Sequence, residues 1–217
     1  MSATVTQRQR SRLNREQVAD AALELADREG LDALTMRALA DRLGVGAMTL
    51  YGYVRNKDEL LDAIVDRAVT ETEPPALEGE WDQQLREVVV RARQGLLRHP
   101  SLVELRIRRP VLRPDALRFS EMSLRILRRA GFEVREATWA FRLLFTYTLG
   151  FAALSPAEAT EDDRRAALAA LAALSPQQYP ALTEARTEAS EAMGGEQVFL
   201  YGLDRILDGL RGRLGRT

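Results

Sequence analysis

Apolar residues in this chain recur three or four positions apart, and no segment alternates apolar and polar residues over the length of a strand. Glycines and prolines are sparse and fall between these helical stretches. The pattern restricts the chain to an all-α fold. With 217 residues it can build one large or two small domains, each with a real core and no covalent staples. Cysteine is absent, which excludes disulfides, iron–sulfur clusters, thiolate zinc and cysteine nucleophiles. The one histidine, His99, excludes a multi-histidine metal centre, and a Ser-His-Asp triad would have to use it. It lies just before Pro100 at a helix end, where a protonated imidazole interacts favourably with the helix dipole. No uncharged apolar run of about 18 residues occurs, so nothing is expected to span a membrane. The N-terminus lacks the apolar core of a secretory signal, and a cytoplasmic location is the default expectation.

The formal net charge of -1 hides an asymmetry. Residues 1–15 hold Arg8, Arg10, Arg12 and Arg15 and no acid. A basic head on a slightly acidic body suits a polyanionic partner. Four arginines describe a solvated arm equally well. All but one of the 31 basic residues are arginines, and the exception is Lys57.

The spacing predicts a first helix from about Arg15 to Arg28, capped by Asn14, ended by Gly30 and buried through Val18, Ala22, Leu25 and Ala26. A second starts near Thr35, turns Leu39, Ala40 and Leu43 inward, and stops at Gly44 with Val45 behind. A short third covers about Ala47 to Tyr53. A fourth begins at Asn56, with Glu59 three residues on as in a capping box, and runs to about Thr70. Residues 71–80, ETEPPALEGE, mark a boundary. Three parts follow: a flexible basic arm at 1–14, a head at 15–70 and a larger unit at 71–217. Further helices are expected at about Trp81–His99, Ser101–Arg108, Pro114–Ala130, Val134–Ser155, Asp162–Leu174 and Glu196–Arg213. Residues 175–195 read as a loop with one mobile helix.

Residues 35–53, TMRALADRLGVGAMTLYGY, form a helix, a tight turn at Leu43-Gly44-Val45 and a second short helix. Such a helix-turn-helix places its second helix in the major groove of DNA. A purely structural hairpin has the same outline. The small Gly46 and Ala47 permit close approach to base edges, and apolar Met48 can touch thymine methyls. Thr49, Tyr51 and Tyr53 can donate to phosphates, and Lys57 adds a cation at a helix start.

The run LTMRALADRLGVGAMTLYGYVRNKDELLDAIVD resembles the DNA-binding region of the TetR family of transcriptional regulators. The match covers residues 15–70, through Ala21-Ala22, Gly30, Leu34-Thr35, Leu39-Ala40, Leu43-Gly44-Val45, Leu50-Tyr51, Asn56-Lys57 and Leu60-Leu61. LEGEW at 77–81, LLRH at 96–99, FTYTLG at 145–150 and GGEQVFLYGLDRILDGL at 194–210 are similar to the tetracycline-repressor branch of that family. The resemblance implies a three-helix DNA-binding head and a larger helical ligand-binding and dimerisation domain. It implies DNA contacts from Thr35, Met36, Arg37, Gly46, Ala47, Met48, Thr49, Tyr51, Tyr53 and Lys57, with Arg37 reading guanine. It also implies a homodimer on a double-stranded, palindromic operator, repression, and release by a small-molecule inducer. The dimer would form through a four-helix bundle made by the helix at 137–154 and the last helix of each subunit.

The implied ligand residues are Val88, Arg106, Phe119, Ser123, Trp139, Phe145 and Tyr147. Arg106 falls where the tetracycline branch has a magnesium-binding histidine. Val88, Ser123 and a position near Glu73 replace side chains that grip the drug there. The expected ligand is therefore larger and mainly apolar, anionic near Arg106, with no metal and no cofactor.

Catalysis finds little support. The residue three before His99 is Leu96, so no Glu-x-x-His metal motif exists. No phosphate-binding or dinucleotide-binding loop appears. Glu161-Asp162-Asp163 opens a helix and reads as favourable N-terminal charge. The remaining alternative is a small-molecule-binding protein that has lost specific DNA binding.

Overall fold

Twelve helices and no strand make up the described residues, which in this computed structural model are 13–71, 77–108, 117–154, 160–192 and 195–214. The basic arm lies outside them except for its last two residues, as does Glu73. The chain divides into two compact units, residues 1–70 and 71–217.

The first unit holds α1 (Arg15–Glu29), α2 (Met36–Leu43), α3 (Ala47–Leu50) and most of α4 (Lys57–Glu71). Asn14 caps α1 reciprocally with Gln17. Its Oδ1 accepts the Gln17 amide at 2.8 Å, and its own amide donates to Gln17 Oε1 at 3.0 Å. Thr35 caps α2 by accepting the Ala38 amide at 3.1 Å. Val18, Ala22, Leu25 and Ala26 of α1 pack with Leu39, Ala40, Leu50, Val54, Leu60 and Ile64 in one buried core. Each fully buried leucine or isoleucine there is worth about 1.5–3 kcal/mol.

Two details depart from expectation. Helix α3 ends at Leu50 rather than Tyr53. The Gly52 amide donates to the Thr49 carbonyl and the Tyr53 amide to the Leu50 carbonyl. These three-residue bonds tighten the last turn beyond α geometry. At the start of α4, Asn56 Oδ1 accepts the Glu59 amide at 2.9 Å, but the Glu59 carboxylate takes the amide of Arg55, at 2.8 Å. It also meets Arg55 Nε at 3.0 Å and Arg15 at 3.3 Å.

The second unit holds α5 (Trp81–Arg98), α6 (Pro100–Arg108), α7 (Arg118–Arg129), α8 (Val134–Leu154), α9 (Glu161–Ala172), α10 (Pro180–Glu184), α11 (Arg186–Glu191) and α12 (Glu196–Leu214). By length and composition α8, with a mean hydropathy of 1.2, could cross a membrane. It instead forms the centre of the unit, packing its Ala137, Ala140, Leu144 and Thr148 face among α5, α7 and α12. Leu85, Val89, Leu127, Phe132, Phe199, Leu203 and Leu207 complete the core. The α12 stripe is thus spent inside the subunit, with Ile206 alone only half-buried. A Cβ on Gly202 would collide with the Tyr147 hydroxyl, so this glycine sets the close approach of α8 and α12.

Two short helices, α10 and α11, occupy the stretch read as a loop with one helix, and both pack on α9. Pro180 starts α10 at the position where its missing amide costs nothing. His99 caps α5 and is buried, with Nε2 3.0 Å from a carboxylate oxygen of Glu71, the first residue of this unit.

The donors of Arg55, its backbone amide first, hold the Glu59 carboxyl below its ordinary pKa. A depressed carboxylate stabilises the fold above its unfolded pKa, and that contribution disappears as pH falls through the folded value. Glu59→Gln should therefore melt below the wild type at neutral pH. The gap should close in acid, as read from melting temperatures across an acid titration.

Candidate nucleic-acid interface and ligand site

The helix-turn-helix depends on one left-handed residue. Gly44 has φ 66° and ψ 32°. Its amide donates to the Asp41 carbonyl at 3.2 Å, and the Val45 amide donates to the Ala40 carbonyl at 3.0 Å. This pair of bonds closes α2 and turns the chain directly into α3. Leu50 is fully buried against α2, so the other side of α3 must face outward.

Gly46, Ala47, Met48, Thr49 and Tyr51 are all exposed on that side, and Met48 is 81% exposed. Met36 and Tyr53 are half-buried. Arg37 is exposed on the first turn of α2 and makes no ion pair or side-chain hydrogen bond among the described residues. Thr35 accepts the Ala38 amide and still has its hydroxyl proton to give. Lys57 is exposed but partly engaged, since Nζ donates to the Leu31 carbonyl at 3.1 Å. Two of its three protons remain available to an anion. Arg42, further along α2, is committed to Glu24 of α1 at 2.7 Å and braces the helix instead. The first unit therefore exposes hydroxyl and ammonium donors, an uncommitted guanidinium and an apolar side chain, the group types that suit phosphates, guanine edges and thymine methyls.

In the second unit, four of the seven residues expected at a ligand site cluster. Arg106 lies over the Phe145 ring at 5.2 Å. Phe119 packs on Phe141 at 5.8 Å, and Phe141 on Phe145 at 6.0 Å. Ser123 is fully buried and spends its hydroxyl on the Phe119 carbonyl at 2.8 Å. Phe141 was not anticipated, although its four-residue spacing from Phe145 is the signal for a shared face. Arg106 makes no ion pair or hydrogen bond among the described residues, and burial lowers its pKa.

The other three lie elsewhere. Val88 is core. Tyr147 is two residues from Phe145, about 200° around the helix. Its hydroxyl donates to the Phe199 carbonyl at 2.8 Å, and burial raises its pKa against the opposing pull of Arg93. Trp139 is the third residue outside the cluster. Six residues before Phe145, it falls on a different face of α8, is 61% exposed and lies under Arg135 at 4.4 Å.

Residues 18–64 match the family of bacterial regulatory proteins of the tetR type, and residues 73–214 match the tetracyclin repressor-like C-terminal domain. The tetracycline repressor protein class D of Escherichia coli is 34% identical over 209 residues, covering 94% of this chain and 92% of its own. The HTH-type transcriptional repressor DrrR1 of Streptomyces coeruleorubidus is 36% identical over 214 residues, covering 91% and 77%. Among solved structures, the TetR family protein ActR of Streptomyces coelicolor in complex with actinorhodin superposes with a TM-score of 0.80 at 31% identity, covering 92% of this chain and 96% of that one.

Two measurements test the reading surface. Arg37→Ala should cost about 1–3 kcal/mol on a selected DNA site and little on random DNA. Equal loss on both would make Arg37 a phosphate contact. Replacing one thymine per half-site by uracil should weaken the wild type by about 0.8 kcal/mol for each methyl lost. Met48→Ala should be insensitive to the same replacement.

Proposed function

We propose the following role for this chain, which belongs to the TetR family of bacterial regulatory proteins: it binds a palindromic operator as a homodimer, represses the adjacent gene, and leaves the DNA when a small molecule occupies its second unit. As a member of that family it is a ligand-responsive transcriptional regulator and not an enzyme. The observation that carries the DNA reading is the outward side of α3. There an apolar Met48 is 81% exposed, and Arg37 of α2 makes no ion pair or side-chain hydrogen bond among the described residues. Side chains left so unsatisfied by their own fold suit base edges and phosphates.

The dimer reading rests on α8 and α12. Trp139, Leu143 and Tyr201 are 61%, 50% and 67% exposed there. Aromatic and aliphatic side chains left open on two adjacent helices suit burial against a second copy. A two-fold dimer then presents two reading helices to half-sites about 34–36 Å apart. Trp139 belongs to this surface rather than to the ligand site.

The ligand reading rests on Arg106, Phe119, Phe141 and Phe145. Aromatic rings beside a half-buried, unpaired guanidinium suit a mainly apolar ligand with an acidic group. A cation at this position disfavours a magnesium chelate. Ligand binding shifts the population toward a conformer that fits the operator poorly, and by linkage the operator weakens ligand binding by the same factor. The protein would act in the cytoplasm, where its DNA is.

Selection from a random DNA pool supplies the operator, and its titration against salt should be steep. A palindromic winner supports the dimer. Failure to enrich any sequence would favour the alternative, a binding protein that no longer reads DNA. Actinorhodin is the first release probe, and tetracycline with magnesium, which the Arg106 cation disfavours, is the expected non-inducer. Arg106→Gln should weaken an acidic inducer about 10–100-fold, as expected for losing a charged hydrogen-bond pair. Unchanged affinity would remove Arg106 from the site.

A further inference from the structure

Arg93 of α5 is the anomaly of the second unit. Its side chain continues the inward stripe of Leu85 and Val89, and only 8% of the residue is exposed. Its Nε–H is sealed from water and meets no acceptor. It forms no ion pair among the described residues. A buried cation without a counter-charge is costly, and folds rarely keep one without use for it. Its company is aromatic: the guanidinium lies over Phe199 at 4.7 Å and Phe151 at 5.8 Å. Tyr147 stacks on Phe199 at 5.3 Å, and Phe151 meets the same ring edge-on at 5.4 Å. The rings attract the face of the cation. They offer nothing to its N–H edge, and the Tyr147 hydroxyl gives its proton to the Phe199 carbonyl.

We propose that Arg93, Phe151, Phe199 and Tyr147 form a site for the carboxylate of an aromatic acid, separate from the cluster around Arg106. The class follows from the chemistry. One guanidinium presents a planar fork that matches a carboxylate in two parallel hydrogen bonds. One cation balances a monoanion, whereas a phosphate dianion would leave a buried net negative charge. An aryl group finds rings already placed for stacked and edge contacts. Phe151 is the outer ring of the cluster, half-buried where Phe199 is 1% exposed, so the acid would enter past it. Phe145, the partner of Arg106, lies six residues from Phe151 and on another face of α8. An acid held at Arg93 touches α5, α8 and α12 together. The inference rests on reading this unit as the ligand sensor.

The test uses the full chain with 2-naphthoate and its neutral counterpart 2-naphthamide, titrated by calorimetry. Wild type should bind the acid at least about tenfold more tightly than the amide, the margin expected of a charged hydrogen-bond pair. Arg93→Gln should bring that ratio to near one while binding the operator normally, and Arg106→Gln should keep the preference. Arg93→Met should melt a few degrees higher without ligand, because it removes an unpaired buried charge.

Four outcomes overturn the proposal: no naphthoate binding by the wild type, no preference over the amide, a preference that survives Arg93→Gln, or a lower melting point for Arg93→Met. If other compounds release the operator regardless of Arg93, the sensor reading stands and this site falls. If naphthoate binds through Arg93 and the operator ignores every compound, the site stands and the sensor reading falls.

Discussion

The left-handed turn at Gly44 is the constraint on which the reading head depends. Its φ of 66° is open to glycine at no cost, and a residue with a Cβ pays about 1–2 kcal/mol there. Only with the chain reversed at that point can Leu50 reach the pocket left by Leu39 and Ala40. Once Leu50 is buried, the outward direction of Met48 and Thr49 is no longer free. Helix α1 and the start of α4 act as buttresses, through the pairs Arg42–Glu24 and Arg15–Glu59. The exposed ion pairs contribute little energy by themselves. Arg42–Glu24 ties α2 to α1, and Arg15–Glu59 ties α1 to α4.

The second unit meets a different demand. Its core is conventional, with leucines and phenylalanines of α5, α7, α8 and α12 filling one interior. The departures from that pattern are a few side chains. Arg106 is half-buried without a counter-charge among the described residues, Arg93 is sealed without an acceptor, and Trp139 and Tyr201 are left in the open. Folds tend to break local rules at functional positions and keep them elsewhere, which is why these residues carry the proposed ligand and dimer roles. Tyr147 links the two kinds of position. It braces α12 by a bond to the Phe199 carbonyl and by the space Gly202 leaves it, and it would form a wall of the proposed Arg93 site.

The helices were legible because their start and stop signals are chemical. Asn14 and Thr35 cap as their side chains dictate, and Gly30 and Gly44 end helices with positive φ. The errors came where geometry is set by distant packing. The tightened turn after Leu50 and the split of the stretch before α12 into α10 and α11 carry no periodic signature. In the reading head, residue type and order sufficed for the helix-turn-helix itself, because that motif is local. In the second unit they did not. Trp139, Phe145 and Tyr147 are neighbours in sequence but lie on different faces of α8, and which face meets which helix is decided by α5, α7 and α12. Arg93 was invisible for a related reason. An arginine in an apolar stripe normally turns its head to water, and only the packed rings of Phe151 and Phe199 show that this one does not.

The chain's near-exclusive use of arginine gives Lys57 a particular standing. Its ammonium, bonded to the Leu31 carbonyl at the start of α4, is the one side-chain amine in the whole sequence. Guanidinium groups resist acylation at neutral pH, since they stay protonated. Amine-directed chemistry on the folded protein thus has a single side-chain address, and that address is in the DNA-reading head. One acetyl group there would cancel a charge and a donor together, and one dye there would label every molecule at the same place.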